Sequence, residues 1–230
     1  MALCMDHGRH ACQREGGRQC HHHRSVGLSF PLYLEVITRT HVLGVRASTG
    51  ARGGIGSAAA QLCKDRGARI FGTYTSLAKV DPPSYLTPIE LTSNTAIRDA
   101  IAKEGLQNKI DVLLDCAGYE DPFNDALFTM TPNGSGRAVV MAVHAKNGLF
   151  PIDMRTFYTK ALTLKGMKSS ILDSTEIKAF LDLLAAKIDS GTFHGPQAVN
   201  TVDIQDMPAV TAALKEILTR SSHLRSVIVP

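Results

Sequence analysis

The chain has 230 residues, 44% of them hydrophobic, and a formal net charge of +4. That length suits one sizeable domain with a buried core, and no run of about eighteen apolar residues is present to form a transmembrane helix. The excess charge sits in residues 1–52, which hold seven Arg against three acidic residues, while the remainder is balanced; this excludes a broad nucleic-acid-binding face on the body of the chain.

Residues 1–24 carry three Cys and five His. Thiolate and imidazole are zinc's usual ligands, but Cys4, Cys12 and Cys20 recur at intervals of eight with no C-x-x-C pair, which speaks against a structural zinc site. Four Arg and no Lys in this stretch fit a mitochondrial presequence, whereas Asp6, Glu15 and the lack of an apolar helical face count against one. Residues 1–39 are expected to be an irregular or disordered segment, and residues 40–230 to form the folded domain. An odd total of five Cys without framework spacing points to a reducing compartment, the cytoplasm, with mitochondria as the alternative.

Thr40–Ala47 reads as a β-leaning run that leads into the glycine cluster STGARGGIG, Ser48–Gly56. Residues 54–66 then predict a helix with Ile55, Ala58, Ala59, Leu62 and Cys63 on one face, closed by Gly67. Residues 69–75 predict the next strand. Pro82, Pro83 and Pro88 forbid a regular helix through residues 79–88. A short strand is expected at 89–91, a helix at 94–104 with Ile97, Ile101 and Ala102 inward, and a buried strand at 109–116. A helix at 121–130, a turn at 132–136 and a buried strand at 137–143 follow, then another strand at 161–167. Residues 173–190 give the clearest helical stripe, Ile177, Phe180, Leu181, Leu184 and Ile188, with Asp173 and Glu176 set to cap its start. A helix at 206–220 and a strand at 225–229 close the chain. Strands alternating with helices predict an α/β fold of Rossmann type, a doubly wound parallel sheet.

A glycine turn between a strand and a helix lets a pyrophosphate approach the backbone, where the helix N-terminus offers N–H groups and a favourable dipole. NAD-specific sites place an acid at the end of the second strand. Here Thr73–Ser76 follows, with no acid before Asp81 and with Lys79 nearby, which favours the 2′-phosphate of NADPH.

Two dehydrogenase families share such a turn. The short-chain reading requires Y-x-x-x-K, and none of the five tyrosines has a Lys four residues on. From about Val42 to Pro230 the chain resembles the medium-chain dehydrogenase/reductase superfamily in its zinc-free quinone reductase branch. The resemblance rests on GARGGIGSAAAQLCKDRGARI, IDVLLDCAG, PNGSGRAVVMAV, IDMRTFYTKALTLKGM and HLRSVIVP. It implies that Gly50, Arg52, Gly53, Gly54 and Ile55 cradle the pyrophosphate and that Thr75 and Lys79 meet the adenosine phosphate. It further implies that Ala117 and Gly118 line the ribose side, that Met141, Ala142, Val143 and His144 flank the nicotinamide, and that Lys168, Ser169 and Ser170 lie beside it. No catalytic zinc is expected, and pairing through the nucleotide domain makes a homodimer the expected assembly.

The chain departs from the family at Pro82–Pro83, and its first forty residues show nothing of the catalytic domain that precedes the nucleotide domain there. Two readings follow. One is an NADPH-dependent reductase of quinones or α,β-unsaturated carbonyls, with no convincing general acid: His144 and Tyr158 are the candidates, and each has a structural explanation. The other is a truncated nucleotide-binding module with little or no turnover.

Overall fold

The computed structural model describes residues 44–78, 80–145, 147–168, 172–195, 199–219 and 225–229. Six strands make one parallel sheet: β1 (Val45–Thr49), β2 (Arg69–Tyr74), β3 (Thr87–Glu90), β4 (Ile110–Asp115), β5 (Arg137–Val140) and β6 (Thr163–Gly166). Their order across the sheet is β3-β2-β1-β4-β5-β6, the arrangement of two mononucleotide-binding halves meeting at β1 and β4. The helices between them are α1 (Gly54–Lys64), α2 (Ala96–Lys103), α3 (Glu120–Leu127) and α4 (Met154–Thr159), and α5 (Ser174–Asp189) follows β6.

The sheet is covered on both faces, so its central strands are buried along most of their length rather than alternating, with Arg46, Ser48 and Thr49 of β1 and Asp115 of β4 buried among apolar neighbours. On one face Ala59, Leu62 and Cys63 of α1 pack on Ile70, Val112, Leu114 and Val139, with Phe180 and Leu184 of α5 half-buried at the margin. On the other, Ile97 and Ile101 of α2 and Phe123 and Leu127 of α3 pack on Phe71, Leu113 and Ala138. Pro88 is accommodated because β3 is an edge strand.

Several elements differ from expectation. β1 extends two residues beyond Ala47, because Ser48 and Thr49 stay in register with Leu114 and Asp115 of β4 despite being polar. Residues 40–43 of the expected strand lie outside the described residues. Helix α1 stops at Lys64, and its buried positions are Gly56, Ala59, Ala60, Leu62 and Cys63. Ile55, expected inward, is 54% exposed. Helices α2 and α3 begin and end within a few residues of their expected bounds; α3 gives way early, and Met130 instead bridges Ile110. β5 ends at Val140, and the chain then turns across the sheet's end, where the N–H of Met141 donates to Asp115 O and that of His144 to Gly118 O, both at 2.9 Å.

Helix α5 opens with the expected capping box: Asp173 accepts from the Glu176 N–H at 2.8 Å, and Glu176 accepts from the Asp173 N–H. Its stripe is not buried as expected. Ile177, Leu181 and Ile188 are exposed, and only Phe180 and Leu184 reach the core. The final strand does not join the six-stranded sheet. β8 (Arg225–Val229) pairs in parallel with β7 (Val199–Asp203), a strand the sequence pattern did not reveal, and α6 (Met207–Thr219) connects them. Val202, Val210 and Ala213 form a small core of their own there. No helix among the described residues is long and apolar enough to cross a membrane.

Candidate functional site

Chain order reverses between β1 and β4, and the crossovers leaving these strands run to opposite sides, so the carboxyl ends of the two strands border an open crevice. Four segments meet there. The first is the turn after β1. Gly50 has φ +65°, a left-handed conformation that favours glycine. Its N–H donates to Thr73 Oγ1 at 3.0 Å, and its carbonyl accepts from the Gly53 N–H at 2.9 Å. Gly56 admits no side chain: a Cβ there would lie 2.4 Å from the Gly50 carbonyl oxygen. The turn thus folds tightly against the first turn of α1.

The start of α1 is open to an external anion. Gly53 supplies no capping side chain, and no acidic residue occupies the first turn. Arg52 and Ile55 are exposed beside it. A pyrophosphate fits these features: small residues allow close approach, and the helix-terminal N–H groups lack a side-chain acceptor.

The second segment is the turn after β4. Ala117 lies against Gly50, where a Cβ on the glycine would sit 3.3 Å from the Ala117 Cβ. Gly118 passes so close to Ala142 and Val143 that a Cβ on it would be 2.7–2.8 Å from their backbone atoms. This contact brings in the third segment, Met141–His144. The ring of His144 stacks on Tyr119, with centroids 4.9 Å apart. The fourth segment follows β2. Exposed Thr75 lines a cavity of about 540 Å³ with Leu91–Asn94 and Tyr119–Pro122.

The structure therefore gathers Gly50, Arg52, Gly53, Gly54, Ile55, Ala117, Gly118, Met141, Ala142, Val143 and His144 around one end of the sheet, with Thr75 on the adjoining cavity. Lys168 is exposed beyond β6, one residue after Met167, whose N–H donates to Val140 O at 2.9 Å. Lys79, Ser169 and Ser170 lie outside the described residues. Tyr158 is 79% exposed in α4, just before β6 and so at the opposite end of the sheet.

Buried polar groups beneath the turns were not singled out from the sequence. Ser48, Thr49, Thr73 and Asp115 are all buried in the last two positions of their strands, and that position was the available signal. Burial pushes the Asp115 carboxyl above the usual carboxylate range, against the opposing effects of hydrogen bonds from Thr49 and Gly118 and of the nearby Ala117 amide and His144. Burial also pushes the Cys116 thiol up to about 12. The Glu90 carboxylate lies under the turn after β2 and accepts from the Leu77 N–H at 3.0 Å. Among the described residues, no group of three or more His, Cys, Asp and Glu is arranged to hold a metal.

Residues 54–186 match a family model described as zinc-binding dehydrogenase. No curated protein matches the chain. The fold is similar to that of AibC, at 25% identity and TM-score 0.63, over 81% of this chain and 49% of that one. It is similar to a quinone oxidoreductase of Pseudomonas syringae pv. Tomato DC3000, at 17% identity and TM-score 0.65, over 86% of this chain and 61% of that one. It is also similar to CurA from Vibrio vulnificus, a structure in complex with NADPH, at 16% identity and TM-score 0.65, over 85% of this chain and 59% of that one. The chain thus spans between half and about six-tenths of the length of these proteins.

Proposed function

Because the chain belongs to the zinc-binding dehydrogenase family of the medium-chain superfamily, we propose that it binds NADPH and serves an oxidoreductase of the quinone reductase type, reducing a quinone or an α,β-unsaturated carbonyl. The observation that carries this reading is the glycine turn at the switch point, with an uncapped helix N-terminus behind it. A phosphate charge held there gains up to about 2 kcal/mol from the helix terminus in favourable geometry. Arg52 adds a positive charge beside the turn. Thr75 and Ser76 at the end of β2 suit a phosphorylated ribose, since Glu90, the acid beneath this turn, is already engaged by the Leu77 amide. NADPH supplies a hydride when bound. The Gly118 turn and residues 141–144 then form the wall against which the reacting end is held, and the stacked Tyr119 and His144 rings shape its edge. In the assembled enzyme, a homodimer is the proposed state.

Fluorescence titration with NADPH and NADH, run beside quinone-dependent NADPH oxidation, tests this. Tighter binding of NADPH with oxidation on adding quinone is the expected result. Binding without oxidation across a panel of quinones and enones would leave a nucleotide-binding module. That second reading is favoured by the described residues themselves, which place only His144 of the two candidate acids near the crevice. No binding of either nucleotide would end both readings.

A further inference from the structure

The two turns that border the crevice are joined from below by one hydroxyl. Thr49, the last residue of β1, is buried, and its Oγ1 accepts from the N–H groups of Cys116 at 3.1 Å and Ala117 at 3.2 Å. The same hydroxyl donates to Asp115 Oδ1 at 2.5 Å. Asp115 Oδ1 also accepts from the Gly118 N–H at 3.1 Å. Three successive amides of the turn after β4 are thus held by two side chains, and Thr49 immediately precedes Gly50.

Ordinary sheet pairing does not explain this arrangement. The parallel ladder between β1 and β4 ends at the Thr49–Asp115 pair. Beyond it the chains diverge into the two turns, whose amides have no strand to pair with. A Val at position 49 has the same shape and pairs equally well in β1. The hydroxyl is needed only because Cys116 and Ala117 turn their N–H groups back beneath the crevice. Asp115 is fully buried, and its Oδ2 has no hydrogen-bond partner, a cost the fold bears at this position.

We propose that Thr49 and Asp115 are positioning residues, a clamp that fixes the spacing between the Gly50 turn and the Ala117–Gly118 turn and so sets the width of the cofactor crevice. Neither side chain touches the cofactor. Their effect is transmitted through Gly50, whose N–H is also fixed by Thr73, and through Gly118, whose carbonyl accepts from the His144 N–H. The Thr73, Thr49 and Asp115 side chains therefore tie the ends of β2, β1 and β4 into one rigid rim. This inference rests on the NADPH reading for its consequence but not for its geometry.

The test uses the full chain and three variants, Thr49→Val, Thr49→Ala and Thr49→Ser. Thr49→Val is expected to bind NADPH about tenfold more weakly, the effect of leaving two partly buried amides without their acceptor. Thr49→Ser, which keeps the hydroxyl and loses the methyl, should restore affinity to within about threefold. Should Thr49→Val not fold, Thr49→Ala takes its place against Thr49→Ser, the pair differing only in the hydroxyl. Adenosine 2′-monophosphate, which lacks both the pyrophosphate and the nicotinamide half, should bind all the variants alike, a discrimination that simple loss of stability does not produce. Equal NADPH affinity for the Val or Ala variant and the Ser variant overturns the clamp. Where the unaltered chain binds no nucleotide, the NADPH reading fails by itself, and amide hydrogen exchange still decides the clamp. Loss of the hydroxyl should deprotect residues 116–118 and residues 50–53 together. Deprotection confined to 116–118 refutes the coupling.

Discussion

Replacing Gly56 by Ala adds one methyl group at the third residue of α1, and two effects then oppose each other. A glycine-to-alanine change inside a helix gains up to about 1 kcal/mol from propensity, and less near a helix start. Against this, the new Cβ would lie 2.4 Å from the Gly50 carbonyl oxygen, 3.0 Å from the Gly50 carbonyl carbon and 3.1 Å from the Ala51 Cα. These are backbone atoms of a turn pinned by Thr73 and Gly53, so no rotamer change relieves the collision. Overpacking of this kind costs typically about 1–3 kcal/mol. The net expectation is a loss of about 1–2 kcal/mol, or about 2–8 °C in thermal midpoint for a domain of this size. Displacing the turn also spoils the approach of a pyrophosphate to the helix start, so NADPH affinity should fall about tenfold or more. Chemical denaturation and fluorescence titration read the two quantities. Gly105→Ala is the control. Gly105 has φ +67° with nothing within 4 Å of an added Cβ, so it loses about 1 kcal/mol to backbone strain and keeps its affinity. A Gly56→Ala protein with unchanged midpoint and unchanged NADPH titration would refute the close-approach argument.

Other substitutions probe the supports around the site. Burial raises the folded-state pKa of Asp115, so the fold holds this proton more tightly than the unfolded chain; its contribution is complete at low pH and declines as pH rises above about 4 towards the raised value. Denaturation across a pH series should therefore show Asp115→Asn gaining stability relative to the unaltered chain as pH rises through that window, and a difference that does not vary with pH contradicts the assignment. Asp125 is buried, accepts from the Ile97 N–H at 2.7 Å and the Arg98 N–H at 3.3 Å, and pairs with the Arg98 guanidinium. Asp125→Ala should cost about 2 kcal/mol by urea denaturation through loss of this cap, and a cost within experimental error of zero counts against it. Asp173→Ala removes the capping box of α5 and should cost about 1 kcal/mol, seen as faster amide exchange over residues 174–178 with β4 unaffected. Cys63 and Cys116 should resist alkylation in the native protein at pH 8 and react on unfolding, because burial raises both thiols; site-resolved mass spectrometry showing rapid native labelling at either would contradict their placement.

The six-stranded sheet was legible because its strands carry a strong signal. IDVLLDC and RAVVMAV each hold an apolar run, Val112–Leu114 and Ala138–Val143, and each is followed by turn residues. Their ends were misplaced where polarity and burial part company. Ser48 and Thr49 look like loop residues but continue β1 in register with β4, whereas Met141–Val143 look like strand but turn across the sheet's end. Periodicity correctly found α5 and its cap and wrongly implied that its stripe is buried. A period of 3.6 reports that a face is apolar, not what covers it. Ile177, Leu181 and Ile188 are exposed among the described residues, as are Met207, Leu214 and Leu218 of α6. β7 escaped notice because Val199–Asp203 contains Asn, Thr and Asp and lies far in sequence from its partner β8.

The candidate site was legible in its glycines and not in what holds them. The glycine pattern marks where backbone comes close to backbone or to the crevice, since a missing side chain is visible in any sequence. Thr49, Thr73 and Asp115 act through backbone amides brought together only when β2, β1 and β4 lie side by side, with Thr49 and Asp115 separated by 66 residues. No spacing rule connects them. The location of these groups nonetheless follows from a general requirement. A parallel sheet can satisfy its backbone groups only while its strands run together. At the switch point they diverge to open a crevice, and the freed amides need acceptors from buried side chains or from ligand. Those nearest the core, at Gly50, Cys116, Ala117 and Gly118, receive side-chain oxygens. Those at the start of α1 receive none from a capping side chain. The boundary between the two sets traces where the protein stops supplying side-chain acceptors, which is where the proposed reading puts the pyrophosphate.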